Sequence, residues 1–219
     1  MAYINFNHIE KEFLQIEPLD KPRILSFYQA HSTYFDNQFP QTAEEQNKFL
    51  WMIFEIGASF SFDRQLTKAI SILRRTLDLI GSDVEPIRKK IYNEAIYTLA
   101  YSYFEAKQYS LAKSYFIEYL KTANDNSVYA RDYLLICRNK IRKKLCGNFG
   151  IAGAIILIIQ YSIKFGFADY YSFLIRYFGF IGDALLIIYV MGTIIINTSD
   201  NKKLHIYDRD NSTNAKQED

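Results

Sequence analysis

The sequence predicts an all-α protein in which stacked helical hairpins are followed by a two-helix transmembrane hairpin. Three observations carry this. Gly57 and Ala69 stand twelve residues apart, as do Ala100 and Ala112, and the two pairs are offset by 43 positions. Apolar residues recur at three- and four-residue spacing through residues 1–145, and no segment shows the alternation of a strand. Beyond Leu145 lie two apolar runs, with no charged residue between Lys144 and Lys164 and only Asp183 between Arg176 and Asp200.

Taken in order, residues 1–49 read as an N-terminal helical extension. It holds a short helix over Ile9–Ile16, then one from Pro22, which suits a first helical position, through Phe35. Asp36-Asn-Gln-Phe-Pro-Gln-Thr reads as a loop. Thr42 and Glu45 have capping-box spacing, so the next helix starts there and runs through Phe62. Residues 50–145 read as the repeat domain with its cap: helices over Gln65–Ile80, stopped at Gly81; Pro86–Ala106; Ser110–Ala123; and Ser127–Lys144. Residues 146–197 form the membrane hairpin, spanning at about 147–163 and 177–196. The polar tail, 198–219, has the composition of a disordered segment.

Aligning residues 50–83 with 93–126 places Ile53, Ile56, Gly57, Phe60, Ala69 and Leu73 on Ile96, Leu99, Ala100, Tyr103, Ala112 and Phe116. A small residue on each helix of a hairpin lets the backbones approach, while large neighbours fill the grooves beside it. This pattern resembles the tetratricopeptide repeat, a helix–turn–helix unit of about 34 residues. Asn93–Asn126 matches best, with Tyr119 where the family usually has Ala and Asn124 where it often has Pro. The 43-residue period departs from that family and falls in the range of HEAT-like repeats. Leu134 stands in the last helix where a small residue is expected, which makes that helix a cap.

The resemblance implies a concave face lined by the first helix of each unit. The matching positions are Trp51, Phe54, Glu55, Ala58 and Phe62, then Glu94, Tyr97, Thr98, Tyr101, Phe104 and Glu105, with Arg131 added by the cap. Trp51, Phe54, Tyr97, Tyr101, Phe104 and Arg131 are the candidate groove for a protein or peptide partner. The same large residues at helical spacing also suit a core, and residues 1–49 are long enough to fill such a groove. The basic clamp that some family members close on a terminal carboxylate has no counterpart: Phe54, Ala58, Tyr97 and Tyr101 stand at its positions.

Orientation follows from basic residues near the spans. Arg138, Lys140, Arg142, Lys143 and Lys144 precede the first, and Lys202, Lys203 and Arg209 follow the second. Both termini are therefore expected in the cytoplasm, with no signal peptide at the start, so Cys137 and Cys146 sit on the reducing side as packing residues. Ile-Arg-Lys-Lys occurs at 87–90 and again at 141–144. Arg142, Lys143 and Lys144 suit anionic headgroups, and Arg88, Lys89 and Lys90 form either a second lipid contact or a solvated helix start. Phe165, Phe167, Tyr170, Tyr171, Phe173, Tyr177 and Phe178 suit an aromatic belt. Gly150 with Ala154, and Gly179 and Gly182 beside Asp183, offer close packing within the hairpin or between copies of the chain, where Asp183 and Gln160 could join them.

The sequence has no phosphate-cradling loop, metal-binding His-Glu-x-x-His helix, nucleophile elbow or Cys-x-x-Cys pair. His8, His31 and His205 are scattered, no enzyme activity, cofactor or metal is expected, and a net charge of +2 without a reading motif argues against nucleic acid. The expectation is a membrane-anchored adaptor or scaffold that presents its repeat domain to the cytoplasm. The alternative is a small membrane subunit of a larger transport or secretion complex, with the hairpin as its assembly element.

Overall fold

A computed structural model describes residues 6–81, 86–123, 127–167 and 176–195. Its elements are α1 (Phe6–Leu14), α2 (Lys21–Asn37), α3 (Ala43–Phe62), α4 (Leu66–Ile80), α5 (Pro86–Glu105), α6 (Tyr109–Thr122), α7 (Val128–Phe167) and α8 (Arg176–Ile195). There is no strand among the described residues. The chain divides into two compact units, residues 1–137 and 138–219.

Local chemistry explains the helix starts. Asp20 caps α2 by accepting from the Arg23 N–H at 3.1 Å, with Pro22 in the first turn. Thr42 caps α3: its hydroxyl oxygen accepts from the Glu45 N–H at 3.4 Å and donates to the Glu45 carboxylate at 2.8 Å. The capping box is thus half realised, because the Glu45 side chain meets the Thr42 hydroxyl and not the Thr42 N–H. α4 ends at Gly81, whose φ of 70° favours glycine.

Within the first unit α3 packs on α2 and α4, α4 on α5, and α5 on α6. Phe6, Ile9 and Phe13 of α1 and Phe27 and Phe35 of α2 share one core with Phe49, Ile53, Ile56 and Phe60 of α3 and Ala69 and Ile72 of α4. The N-terminal helices therefore belong to the same packed body as α3; each fully buried aromatic among them contributes about 1.5–3 kcal/mol. A second core joins Leu73 of α4 to Ala95, Leu99, Ala100 and Tyr103 of α5, Ala112 and Phe116 of α6, and Ala130, Leu134 and Cys137 of α7.

The 43-residue echo extends into backbone geometry. Arg64 and Lys107, 43 apart, are the two described non-glycine residues with positive φ, 60° each. The Gln65 N–H donates to the Phe60 carbonyl at 2.9 Å, and the Gln108 N–H to the Tyr103 carbonyl at 2.9 Å. The residue before each, Arg64 or Lys107, bonds the Ser61 or Phe104 carbonyl in the same way. Both α3–α4 and α5–α6 thus turn through one left-handed residue in a Schellman-type closure. Ser59 and Ser102, also 43 apart and fully buried, each donate to the carbonyl four residues earlier, Glu55 at 2.7 Å and Thr98 at 2.8 Å. Close approach matters at Gly57, where an added Cβ would lie 2.9 Å from Leu73 Cγ.

In the second unit α7 and α8 pack through glycines. A Cβ on Gly150 would meet the Tyr189 ring at 2.8 Å, one on Gly153 the Gly182 carbonyl at 3.1 Å, and one on Gly182 the Leu157 side chain at 2.8 Å. Ala154, expected to share that face, is exposed, and Gly153 takes its place one residue earlier. The cap helix and the first span, expected as Ser127–Lys144 and 147–163, are parts of one helix, because the last of the four prolines is Pro86 and nothing breaks the ladder at Gly147 or Gly150. The compact first unit ends at Cys137, short of the expected boundary at 145. The polar tail and residues 170–173 of the aromatic belt lie outside the described residues.

The paired turns make a direct prediction. Lys107→Val should lower stability by about 1 kcal/mol more than Lys107→Gly, since a β-branched Cβ crowds the following carbonyl at positive φ. Thermal melts of the detergent-solubilised chain, followed by circular dichroism, check this; equal melts for the two variants would contradict the left-handed turn.

Candidate binding surface

The six groove candidates fall into two groups, each partnered by another part of the chain. Trp51, on α3, meets the Phe13 ring edge-on with centroids 5.3 Å apart, and Phe13 meets Phe27 at 5.2 Å. One turn along α3, the Glu55 carboxylate pairs with the Lys21 ammonium at 3.4 Å. Phe54 is partly buried against the second core. The N-terminal helices α1 and α2 therefore cover this end of the face, as the length of residues 1–49 allows. Phe62, at the C-terminal end of α3, remains 78% exposed.

On α5, Tyr97 sits 5.2 Å from Tyr119 and 6.0 Å from Phe116, Tyr101 sits 5.5 Å from Tyr133, and Phe104 lies 5.0 Å from Tyr133 and 5.7 Å from Tyr109. Tyr133, from α7, stacks on Phe116 at 5.6 Å and so stands at the centre of the cluster. Tyr97, Tyr101 and Phe104 are only partly buried, which leaves their outer edges as a rim, and Arg131 is exposed. Burial raises the Tyr97 and Tyr101 phenols above their ordinary range, with Glu105 adding to the effect at Tyr101. At neutral pH these phenols stay protonated beside apolar ring edges, with Tyr101 hydrogen-bonded to Glu105.

The remaining candidates separate by environment. Arg88 Nε donates to the Asn47 side chain at 2.7 Å and Arg88 Nη2 to Gln46 at 3.0 Å, so this arginine ties the start of α5 to α3. Lys89 and Lys90 are exposed, as are Arg142, Lys143 and Lys144. His31 Nε2 lies 3.0 Å from a Glu12 oxygen, between α2 and α1. Tyr92 donates to Glu118 at 2.8 Å; burial first and this carboxylate second push its phenol up to about 12. Among the described residues no three His, Cys, Asp or Glu side chains converge.

Sequence reasoning missed Tyr133 and Phe13, the residues that cover the face. The signal for Tyr133 was present: with Ala130, Leu134 and Cys137 it forms a helical stripe. It also missed the buried hydroxyl pair of Ser61 and Ser102, 2.8 Å apart across α3 and α5.

No protein-family model, curated protein or solved structure matches this chain. Its class is therefore defined by its own geometry: an all-α protein with two helices, α7 and α8, long and apolar enough to cross a membrane.

Two measurements probe the covered face. Trp51 is the single tryptophan, so Phe13→Ala should shift its emission to the red and raise its quenching by acrylamide; an unchanged spectrum would mean that α1 does not shield it. For Tyr92, the unfolded phenol ionises near 10 and the folded one near 12. The contribution is whole below 10 and is lost as pH rises towards 12, because only the unfolded state releases its proton there. Denaturation midpoints measured from pH 9 to 12 should fall less steeply in Tyr92→Phe than in the native chain.

Proposed function

We propose that the protein is a membrane-anchored adaptor, a tetratricopeptide-like pair of helical hairpins held at a bilayer by the α7–α8 hairpin and presented to the cytoplasm for a protein or peptide partner. The observation that carries this is the coexistence in one chain of duplicated hairpins, matched at the Arg64 and Lys107 turns, with two apolar helices. The most apolar windows of those helices are only 6% and 11% buried. A core helix of a soluble domain would be covered, so such surfaces call for lipid or for another membrane helix.

The partner surface in this proposal is the rim formed by Tyr97, Tyr101, Phe104 and Arg131 at the α5 end of the face, whereas α1 and α2 pack on α3 beside Trp51. Arg142, Lys143 and Lys144 supply the contact with anionic headgroups and set both termini in the cytoplasm. A second reading, a small subunit of a larger membrane complex, is favoured by Asp183, an acidic side chain exposed on α8.

The test uses the full chain. It should resist alkaline carbonate extraction, and tags at both ends should be cleaved by protease only from the cytoplasmic side. Proteins crosslinked to the native chain should be lost from Tyr101→Ala/Arg131→Ala at unchanged melting temperature. Retention of every crosslink by that variant would remove the rim from the proposal.

A further inference from the structure

One face of α8 combines apolar exposure with a single charge. Phe180, Asp183, Ile187 and Val190 recur at three- and four-residue spacing and are all exposed, Phe180 at 75% and Ile187 at 61%. The other side of α8 faces α7: Gly179 lies against Gln160, Gly182 against Leu157, and Tyr189 against Gly150. Gln160, in the first span, is therefore taken up inside the hairpin. Asp183 has no hydrogen-bond or ion-pair partner among the described residues. It stands seven residues from Arg176, about 10 Å of helix rise towards the middle of the apolar stretch. The short aspartate side chain cannot reach back over that distance as lysine or arginine can.

We propose that this face of α8 docks a transmembrane helix of another protein that carries a lysine or arginine level with Asp183. The inference rests on the reading of α7 and α8 as membrane spans. Ionisable groups within a bilayer face protein or water and pair with a partner, and hydrocarbon offers none to the Phe180–Val190 face. A second copy of this chain does not supply the cation. No basic residue occurs between Lys144 and Lys164 or between Arg176 and Asp200. A copy inserted in the same sense sets Asp183 against Asp183, which like charges oppose. The complementary group must come from a different chain, with small or flat apolar side chains to fit between Phe180 and Ile187.

The experiment reconstitutes the fluorescently labelled full chain in phosphatidylcholine vesicles with model single-span Leu/Ala helices. These carry either Lys or Leu at the depth of Asp183, and association is read by energy transfer. The Lys helix should associate at least tenfold more tightly than the Leu helix. Asp183→Asn and Asp183→Leu should abolish that preference, while Asp183→Lys should transfer it to a model helix bearing Asp. Equal association of the native chain with the Lys and Leu helices overturns the proposal. So does Asp183-dependent transfer between labelled copies of the chain that the Lys helix fails to displace, which would make the occupant a second copy. A chain that alkaline carbonate strips from the vesicles overturns the membrane reading itself. A chain that is retained yet indifferent to Lys overturns only the docking face.

Discussion

The close approach of α3 to α4 at Gly57 is the contact on which the rest of the first unit depends. There Gly57 lies against Leu73 and Ile72, with no room for a Cβ that Leu73 does not yield. Those two neighbours belong to different cores: Ile72 packs with α1, α2 and α3, and Leu73 packs with α5, α6 and α7. α4 is thus the wall between the two cores. Widening its separation from α3 would disturb both at once, because interiors packed at crystal-like density do not deform smoothly. The paired left-handed turns at Arg64 and Lys107 serve the same end by returning each second helix at a fixed angle onto the first.

The duplication does not leave a bare aromatic groove. In two hairpins the first helices expose more apolar surface than neighbouring repeats can cover, and the chain supplies the missing cover itself. Phe13 covers Trp51, Lys21 neutralises Glu55, and Tyr133 enters the cluster of Tyr97, Tyr101, Phe104 and Phe116. What stays open is a rim of ring edges and phenols. In the proposed adaptor role this rim would bind through hydrogen bonding and partial apolar contact.

The two apolar helices follow a different economy of contact. Glycines bring α7 and α8 together, as they do where lipid supplies no hydrophobic drive between helices and close backbone packing must do so. Using the small residues inside the hairpin leaves Asp183 and its apolar neighbours outside it. Gln160 thereby lies against Gly179, while Asp183 is turned outward.

The helical class, the starts at Thr42 and Pro86, the stop at Gly81 and the apolar runs were all legible in the sequence, because capping groups, positive-φ glycine and hydrocarbon-length spacing act within a turn or two of the residues that encode them. The 43-residue echo was legible as well, since it is a property of one-dimensional order. Only the tertiary structure decided which apolar side chains cover which. Trp51 and Tyr97 look alike as groove candidates in sequence, yet one is shielded by Phe13, 38 positions earlier, and the other packs on Tyr119 of the neighbouring helix. The choice of Gly153 over Ala154, and of Gln160 over Asp183, for the hairpin interface was likewise settled by how two helices rotate against each other. Helix periodicity specifies a stripe, and the rotation that buries one edge of that stripe depends on the shape of the partner.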